Sequence, residues 1–554
     1  MSTNEWDEVY DVVVVGSGAA SLVASLVLRH SGLSVCVLEK SSQVGGTSAM
    51  SGGVVWIPDH PLQSHPEPGS DADDALIYMN ALIGKGTLES SVSKREAFVS
   101  GARPMITFLE RMGISFERCG DRPDYYDELP GASLRGRSLS SKLFDVRELG
   151  AWGDSLRRGS VSYPVTAAEV PVLMLGARTW TSAFLTIRVM LRIAAMKITG
   201  RKWVGLGTAI QGRLLKGALA SGVRIEREAT VTTLVEHGQR VVGVGARLRG
   251  RDVQIGARGG VFLGAGGFSR SQARREQYLP LPTSQAWSLA CDGDTGEIMD
   301  EAVKMGGTMG GMNHAIWVPT SMPPAAGKMA MHGNAELAKP HVILVDSGGR
   351  RFVNEAGSYV EIGRKIYDRG GPPVWAIMDS RHRARYFWAG IRPGNIPITW
   401  LINGYMKQAD SLGELAQLCG LNRDQLANTV ARFNECAHSG YDADFGRGSR
   451  AFDRWWGDPT VRPNPSLGAI EKAPFHAVAI YPGDVGTMGG LITDENARVV
   501  RATGNTIEGL YAFGTCAASV MAGYYPGAGS SLGPSMVFGY IAARHLLDEW
   551  DGRV

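Results

Sequence analysis

Cysteine is scarce in this chain. Cys36, Cys119, Cys291, Cys419, Cys436 and Cys516 are the only six in 554 residues. None forms a CxxC pair and none is spaced with a histidine as metal ligands are. Structural zinc, iron–sulfur ligation and a disulfide framework are therefore not expected, and a reducing cytosol fits. An excess of one charge is also missing, because 57 Lys and Arg stand against 54 Asp and Glu, a net +3. No basic run is interleaved with aromatics, so no nucleic-acid surface is expected. No uncharged apolar run reaches the ~20 residues that a bilayer span requires. Ser2 to Tyr10 are polar and acidic, and no signal peptide is expected before the first strand. What remains is an ordinary globular composition, 44% hydrophobic, long enough for two or three domains at ~150 residues each.

Glycine, by contrast, is abundant, with 72 residues gathered in short turns. Such turns let backbone approach a large ligand closely. The first of them organises the chain. The β-branched run Val12–Val15 breaks at Gly16-Ser17-Gly18-Ala19-Ala20-Ser21 into an apolar helical pattern through Leu28. A second run, Val35–Leu38, then ends on Glu39 and Lys40. Strand, glycine turn, helix, strand and acid are the parts of a dinucleotide-binding βαβ unit. Gly16 serves the tight turn, and Gly18, Ala19 and Ala20 open the helix toward a pyrophosphate. Glu39 is placed to accept from a ribose hydroxyl.

A second glycine loop follows, Gly45-Gly46-Thr47-Ser48-Ala49-Met50-Ser51-Gly52-Gly53, able to wrap more of the cofactor. Here the chain resembles the fumarate reductase/succinate dehydrogenase flavoprotein superfamily, which implies FAD. No histidine stands at 47–49, where relatives with covalent flavin carry one, so non-covalent FAD is expected. The resemblance adds Gly46, Thr47, Ser48, Ser51, Gly52 and Gly53 as cofactor contacts. It adds the backbone of Val231 near the adenine and the turn at Ala265 and Gly266. It also adds the C-terminal segments at Gly514 and at Ser531-Leu532, which feeds a helix with Pro534 expected at its first position.

The implied fold class is α/β. A Rossmann-like FAD-binding domain is expected in two segments, 1–288 and 474–554. An inserted α+β substrate-binding or capping domain is expected at 289–473. Helices are expected across 71–114, and strands at Ala229–Val235 and Val241–Leu248. Asp346 to Glu355 reads as a hairpin-like segment, and the FAD-domain sheet is expected to resume near Phe475. Residues 150–205 stand apart. Arg178, Arg188, Arg192, Lys197, Arg201 and Lys202 lie among apolar runs with no acid between them, and Trp180 and Trp203 flank the ends. A helix of this kind suits the membrane interface, a subunit contact or a buried core.

Gly529-Ser530-Ser531-Leu532-Gly533 matches the hydrolase pattern GxSxG. That pattern needs a strand before the serine and an acid and a histidine after it. A Pro/Gly loop precedes Ser531, and a serine hydrolase is not expected. Dicarboxylate oxidoreductases of the superfamily carry a histidine two residues before the threonine of a Thr-x-Gly-Gly segment. Here Thr487-Met488-Gly489-Gly490 is present, but Val485 stands in the histidine's place, and succinate or fumarate would be poorly held.

The segment Tyr525-Pro526-Gly527-Ala528-Gly529 instead resembles bacterial 3-ketosteroid Δ1-dehydrogenases over nearly the whole chain apart from 150–205. The resemblance implies that the Tyr525 hydroxyl and the Gly529 N–H hold a C3 carbonyl oxygen. Tyr359 then takes the C2 proton with help from Tyr125, and the C1 hydride goes to FAD. A free phenol titrates near 10, so a phenolate at pH 7 costs about 4 kcal/mol, which a partner hydroxyl and a positive field would reduce. Two alternatives stay open: Δ4-dehydrogenation or desaturation of another cyclic ketone, and electron relay at a membrane surface. A membrane quinone is the expected acceptor if 178–202 binds the bilayer, on the inner face of the cell membrane. Oligomeric state is open.

Overall fold

The computed structural model describes residues 6–63, 69, 71–159, 163–324 and 329–550. Most of the polar start, and 160–162 within the basic insert, lie outside the described residues. The valine run forms the strand Glu8–Val15, with Val12, Val13 and Val14 fully buried. It pairs in parallel with Val35–Glu39 on one side and Arg251–Leu263 on the other. A strand covered on both faces reads as a continuous apolar run rather than an alternation. Helix Ala19–His30 packs on helices Leu206–Ala220 and Leu532–Asp548 beside this sheet.

The chain's last strand, Thr506–Ala512, pairs in parallel with Arg251–Leu263. One eight-stranded sheet is therefore built from both ends of the chain. The C-terminal helix begins at Leu532, so Pro534 lies in its first turn rather than at its first position.

A second, six-stranded sheet is wholly antiparallel among its strands. Phe475–Thr487 is its centre, pairing with Ala315–Ser321, Val374–Met378 and Met406–Ala409. This corrects the expectation that the first sheet resumes near Phe475. An apolar strand does not record which partner it will find, and the return to the first sheet comes only with Arg498–Val500 and Thr506–Ala512. The expected helical stretch 71–114 forms two helices, Ala72–Ile83 and Val92–Arg111. The segment after Val342–Val345 turns back through a bridge between Val345 and Arg351, as a hairpin would.

The basic insert contains the helix Trp180–Thr199, whose first turn is closed by reciprocal hydrogen bonds between Thr179 and Ser182. It packs inward through Leu185 and Val189 onto Val165, Val170 and Leu173. Outward it presents Trp180, Phe184, Ile187, Leu191 and Ile198, with Trp180 92% and Phe184 71% exposed. Not all six basic residues are free, because Arg178 pairs with Asp458 and Arg192 with Glu169. Among the described residues no helix is long and apolar enough to cross a membrane.

Candidate active site

One cavity of about 2510 Å³ runs from the first glycine turn to the antiparallel sheet. Every cofactor and catalytic residue expected from the sequence lies on its wall. Gly16 has φ +91°, and a Cβ there would stand 2.5 Å from the Gly264 carbonyl oxygen. Only glycine lets the turn close against that loop. The N-cap Gly18 of helix Ala19–His30 has no side chain to cap the first turn, so the Ala20 and Ser21 N–H groups are available to an anion. Among the described residues the buried Ser21 hydroxyl beside them has no hydrogen-bond partner. These features fit the pyrophosphate of a dinucleotide. Glu39 stands at the end of its strand, where its carboxylate accepts from the Ser17 hydroxyl at 2.5 Å and the Ser41 N–H at 2.9 Å. A carboxylate has further acceptor positions for a ribose.

The second glycine loop is tied to the first. Ser48 Oγ accepts from the Ala19 N–H at 3.2 Å, and Ser51 donates to the Ser48 carbonyl at 2.8 Å. Thr47 donates to Asp294 at 2.7 Å. Asp294 is a cavity residue that sequence reasoning missed, and burial pushes its carboxyl up to about 6.

Three tyrosine rings meet at the other end of this loop. The Tyr125 ring lies 5.8 Å from both Tyr359 and Tyr525, and Tyr359 lies 5.4 Å from Tyr525, all centroid to centroid. Their sequence neighbours Tyr126 and Tyr524 are not on the cavity wall; Arg450 covers the first and Arg364 the second. Each tyrosine of the trio is placed by a different device. Tyr125 follows a loop in which Asp124 is held by Arg137 at 2.8 Å and by the Trp56 indole at 2.8 Å.

Tyr359 opens the helix Tyr359–Asp368, and the segment before it is pinned by buried ion pairs of Glu355 with Arg351 and Arg447. Burial opposes the Glu355 charge, but the two arginines hold its carboxyl below the usual range. Asn334 adds a hydrogen bond to the Ala356 carbonyl at 2.9 Å. Tyr525 and Gly529 share a loop whose Gly529 carbonyl accepts from the Trp56 N–H at 3.1 Å and whose Ala528 carbonyl accepts from Ser138 at 2.9 Å. Among the described residues the Gly529 N–H has no acceptor, and Gly529 lines the cavity.

Burial raises both Tyr125, to about 12, and Tyr359, well above 10. The two differ in what opposes burial: Arg122 lowers Tyr125, whereas both neighbouring tyrosines raise Tyr359 further. Val485 faces the cavity in the position expected of the missing histidine. Ser531 bonds to Tyr525 at 3.3 Å, while His545 bonds to Tyr511, so the GxSxG match assembles no serine–histidine pair.

The insert also supplies wall. Tyr163, Val165, Val170, Leu173 and Met174 face the cavity, a role that nothing in their sequence signalled. Beyond the tyrosines the wall continues through Ile316, Trp375, Ile391, Trp400 and Tyr481, which are mostly apolar.

A family model described as an FAD-binding domain matches residues 11–532. Over 560 residues the chain is 38% identical to the 3-oxosteroid 1-dehydrogenase of Mycobacterium tuberculosis, covering 98% of each chain. It is 33% identical to the 4-oxocyclohexanecarboxylate 2-dehydrogenase of Sinomonas cyclohexanicum, over 98% of this chain and 94% of the other. Among solved structures it matches the 3-ketosteroid Δ1-dehydrogenase of Sterolibacterium denitrificans in complex with 1,4-androstadiene-3,17-dione. That match has a TM-score of 0.92 and 35% identity, and covers 98% of this chain and all of the other. The chain belongs to the FAD-binding flavoprotein family that includes the 3-oxosteroid 1-dehydrogenases.

Proposed function

We propose that this protein introduces the C1=C2 double bond into 3-ketosteroids. The meeting of Tyr125, Tyr359 and Tyr525 beside the unpartnered Gly529 N–H carries the reading. Tyr525 and Gly529 hold the C3 carbonyl oxygen and draw charge onto it, which makes the C2 proton removable. Tyr359 takes that proton, with Tyr125 as its hydrogen-bond partner. FAD, held without a covalent bond at residues 47–49, supplies the two-electron acceptor for the C1 hydride. The apolar wall beyond the tyrosines suits a multi-ring substrate.

The resemblance to the Sinomonas enzyme favours a second reading, desaturation of a smaller cyclic ketone. Both reactions need the same polarised carbonyl. The test is one anaerobic turnover of a saturated 5α-3-ketosteroid, with flavin absorbance recorded and the product identified by mass and NMR. A C1=C2 product supports the proposal, and a C4=C5 product replaces it with Δ4-dehydrogenation. If the flavin bleaches only with monocyclic ketones, the second reading stands. If it bleaches with none, electron relay without a substrate of its own is left.

The outward face of helix Trp180–Thr199 adds a location to this reading. Its exposed apolar stripe is accompanied by Arg188, Lys197, Arg201 and Lys202, all exposed. Apolar area with flanking cations fits the interface of an anionic bilayer. In this reading the enzyme sits on the cytoplasmic face of the membrane and its reduced flavin passes electrons to a membrane quinone.

A further inference from the structure

Arg122 precedes Tyr125 by three residues and is only 8% exposed. Its Nη2 donates toward the Tyr125 hydroxyl at 3.5 Å. The guanidinium lies over the rings of Trp455 and Trp456, at 5.0 and 5.2 Å. Its Nε is buried without a hydrogen-bond partner, and among the described residues no carboxylate pairs with it. Its neighbour Arg137, in the same loop region, is neutralised by Asp71 and Asp124. A buried cation without a carboxylate is costly. The two indole faces offset part of that cost, and the remaining field is directed at the phenol beside it.

We propose that Arg122 is a positioning cation that keeps the negative charge of the base on Tyr125. Arg122 lowers the cost of that charge, and Tyr359 passes the substrate's proton to the Tyr125 oxygen in the ionised fraction of the enzyme. The proposal rests on the desaturase reading above. As the C2–H bond breaks, its proton forms a new O–H bond on Tyr359, and the former Tyr359 proton moves to the Tyr125 oxygen. The C2–H electron pair becomes the C1=C2 π bond while the C1 hydride leaves to FAD, which is reduced by two electrons.

The surroundings agree. Arg122 is the largest influence opposing burial at Tyr125, whereas the main influences on Tyr359 are burial and the two neighbouring tyrosines. The titratable groups facing the two phenols are Arg122 and Tyr525, and Arg122 also acts on the buried Cys119 thiol. From the segment 452–456 the rings of Phe452, Trp455 and Trp456 complete the enclosure and do not titrate. Arg364, Glu361 and Arg450 act on Tyr126 instead.

The test uses holoenzyme carrying Arg122→Gln or Arg122→Lys, with kcat and KM for a 3-ketosteroid followed against pH. An opposite charge within ~4–6 Å lowers an acid's pKa by about 1–3 units, so Arg122→Gln should move the acid limb of kcat up by about 1–2 pH units. That shift is a loss of about 10–100-fold at pH 7, with KM changed less than about threefold and FAD content unchanged; Arg122→Lys should restore most of the limb's position. An acid limb that stays in place in Arg122→Gln overturns the proposal, as does an equal, pH-independent loss in both variants.

Ultraviolet difference titration of tyrosinate gives a readout that needs neither turnover nor an arginine variant. The tyrosinate signal lost in Tyr125→Phe should lie at lower pH than the one lost in Tyr359→Phe, and the reverse order would overturn the assignment. If the wild type turns over no 3-ketosteroid, the functional reading fails. The titration still reports where the charge resides.

Discussion

The backbone N–H of Tyr125 donates to the carbonyl oxygen of Pro526 at 2.8 Å. The same oxygen accepts from the Tyr78 hydroxyl at 2.7 Å. Through this one carbonyl, a loop from the first quarter of the chain is fastened to the C-terminal loop that carries Tyr525 and Gly529. The two phenols are thereby held in contact before any substrate arrives. Preorganisation of this kind is what proton transfer and carbonyl polarisation require, since both fail when groups drift by an ångström.

Tyr359→Phe removes the proposed proton acceptor and keeps the ring. Turnover should fall by about 10²–10⁴-fold, the usual contribution of a positioned acid or base. FAD content and steroid affinity should remain near wild type. Stopped-flow flavin reduction and equilibrium steroid titration measure the two separately, and rapid reduction in this variant would remove Tyr359 from the mechanism.

At Gly529, φ is +93° and an added Cβ would lie 2.5 Å from the Val54 carbonyl oxygen. Gly529→Ala should therefore strain the loop by about 1–3 kcal/mol. It should also displace the N–H that faces the cavity. The expected result is a lower melting temperature together with a lower kcat. Unchanged kcat in a folded variant would mean that this N–H does not hold the carbonyl.

Asp294 carries a testable pH signature. Its carboxyl is raised from 3.8 to about 6 by burial, so the folded state binds its proton more tightly than the unfolded chain does. The associated stability is fully present below pH 3.8 and is lost as pH rises through about 6. The shift corresponds to about 3 kcal/mol at neutral pH. Asp294→Asn, which keeps an acceptor for Thr47, should gain stability relative to wild type between pH 4 and 7 and match it at the acid end. Melting curves of both proteins under saturating FAD check this, and a pH-independent difference would refute it.

Phe184→Glu combined with Leu191→Glu should release the protein from anionic vesicles without altering flavin binding. Both side chains point outward and support no core contact, at 71% and 65% exposure. Flotation with phosphatidylserine vesicles at low salt measures the effect, and added salt should weaken wild-type binding because part of the attraction is charge. Wild type that stays with the soluble fraction would end the membrane reading.

Much of this organisation is legible in the linear chain. The valine run, the Gly16–Ser21 turn and Glu39 predict a βαβ unit because each acts within about thirty residues of its neighbours. The absence of a histidine at 485 and the pattern at 525–529 are likewise visible without coordinates. Phe475–Thr487 joins the antiparallel sheet, contrary to expectation, because apolar strands of either sheet look alike in sequence. The count of basic residues in 178–202 overstated the free charge, since Asp458 and Glu169 approach from outside that window.

Local sequence thus determined where the dinucleotide-type βαβ unit forms and which residue types were available for chemistry. Only the tertiary structure decided that Tyr125 and Tyr525, rather than Tyr126 and Tyr524, face Tyr359, and that among the described residues Arg122 goes without a carboxylate while Arg137 has two. The physical reason is distance along the chain. Turns and helices are set by neighbours a few residues apart, whereas a field at a phenol depends on every charge within several ångströms, whatever its position in sequence.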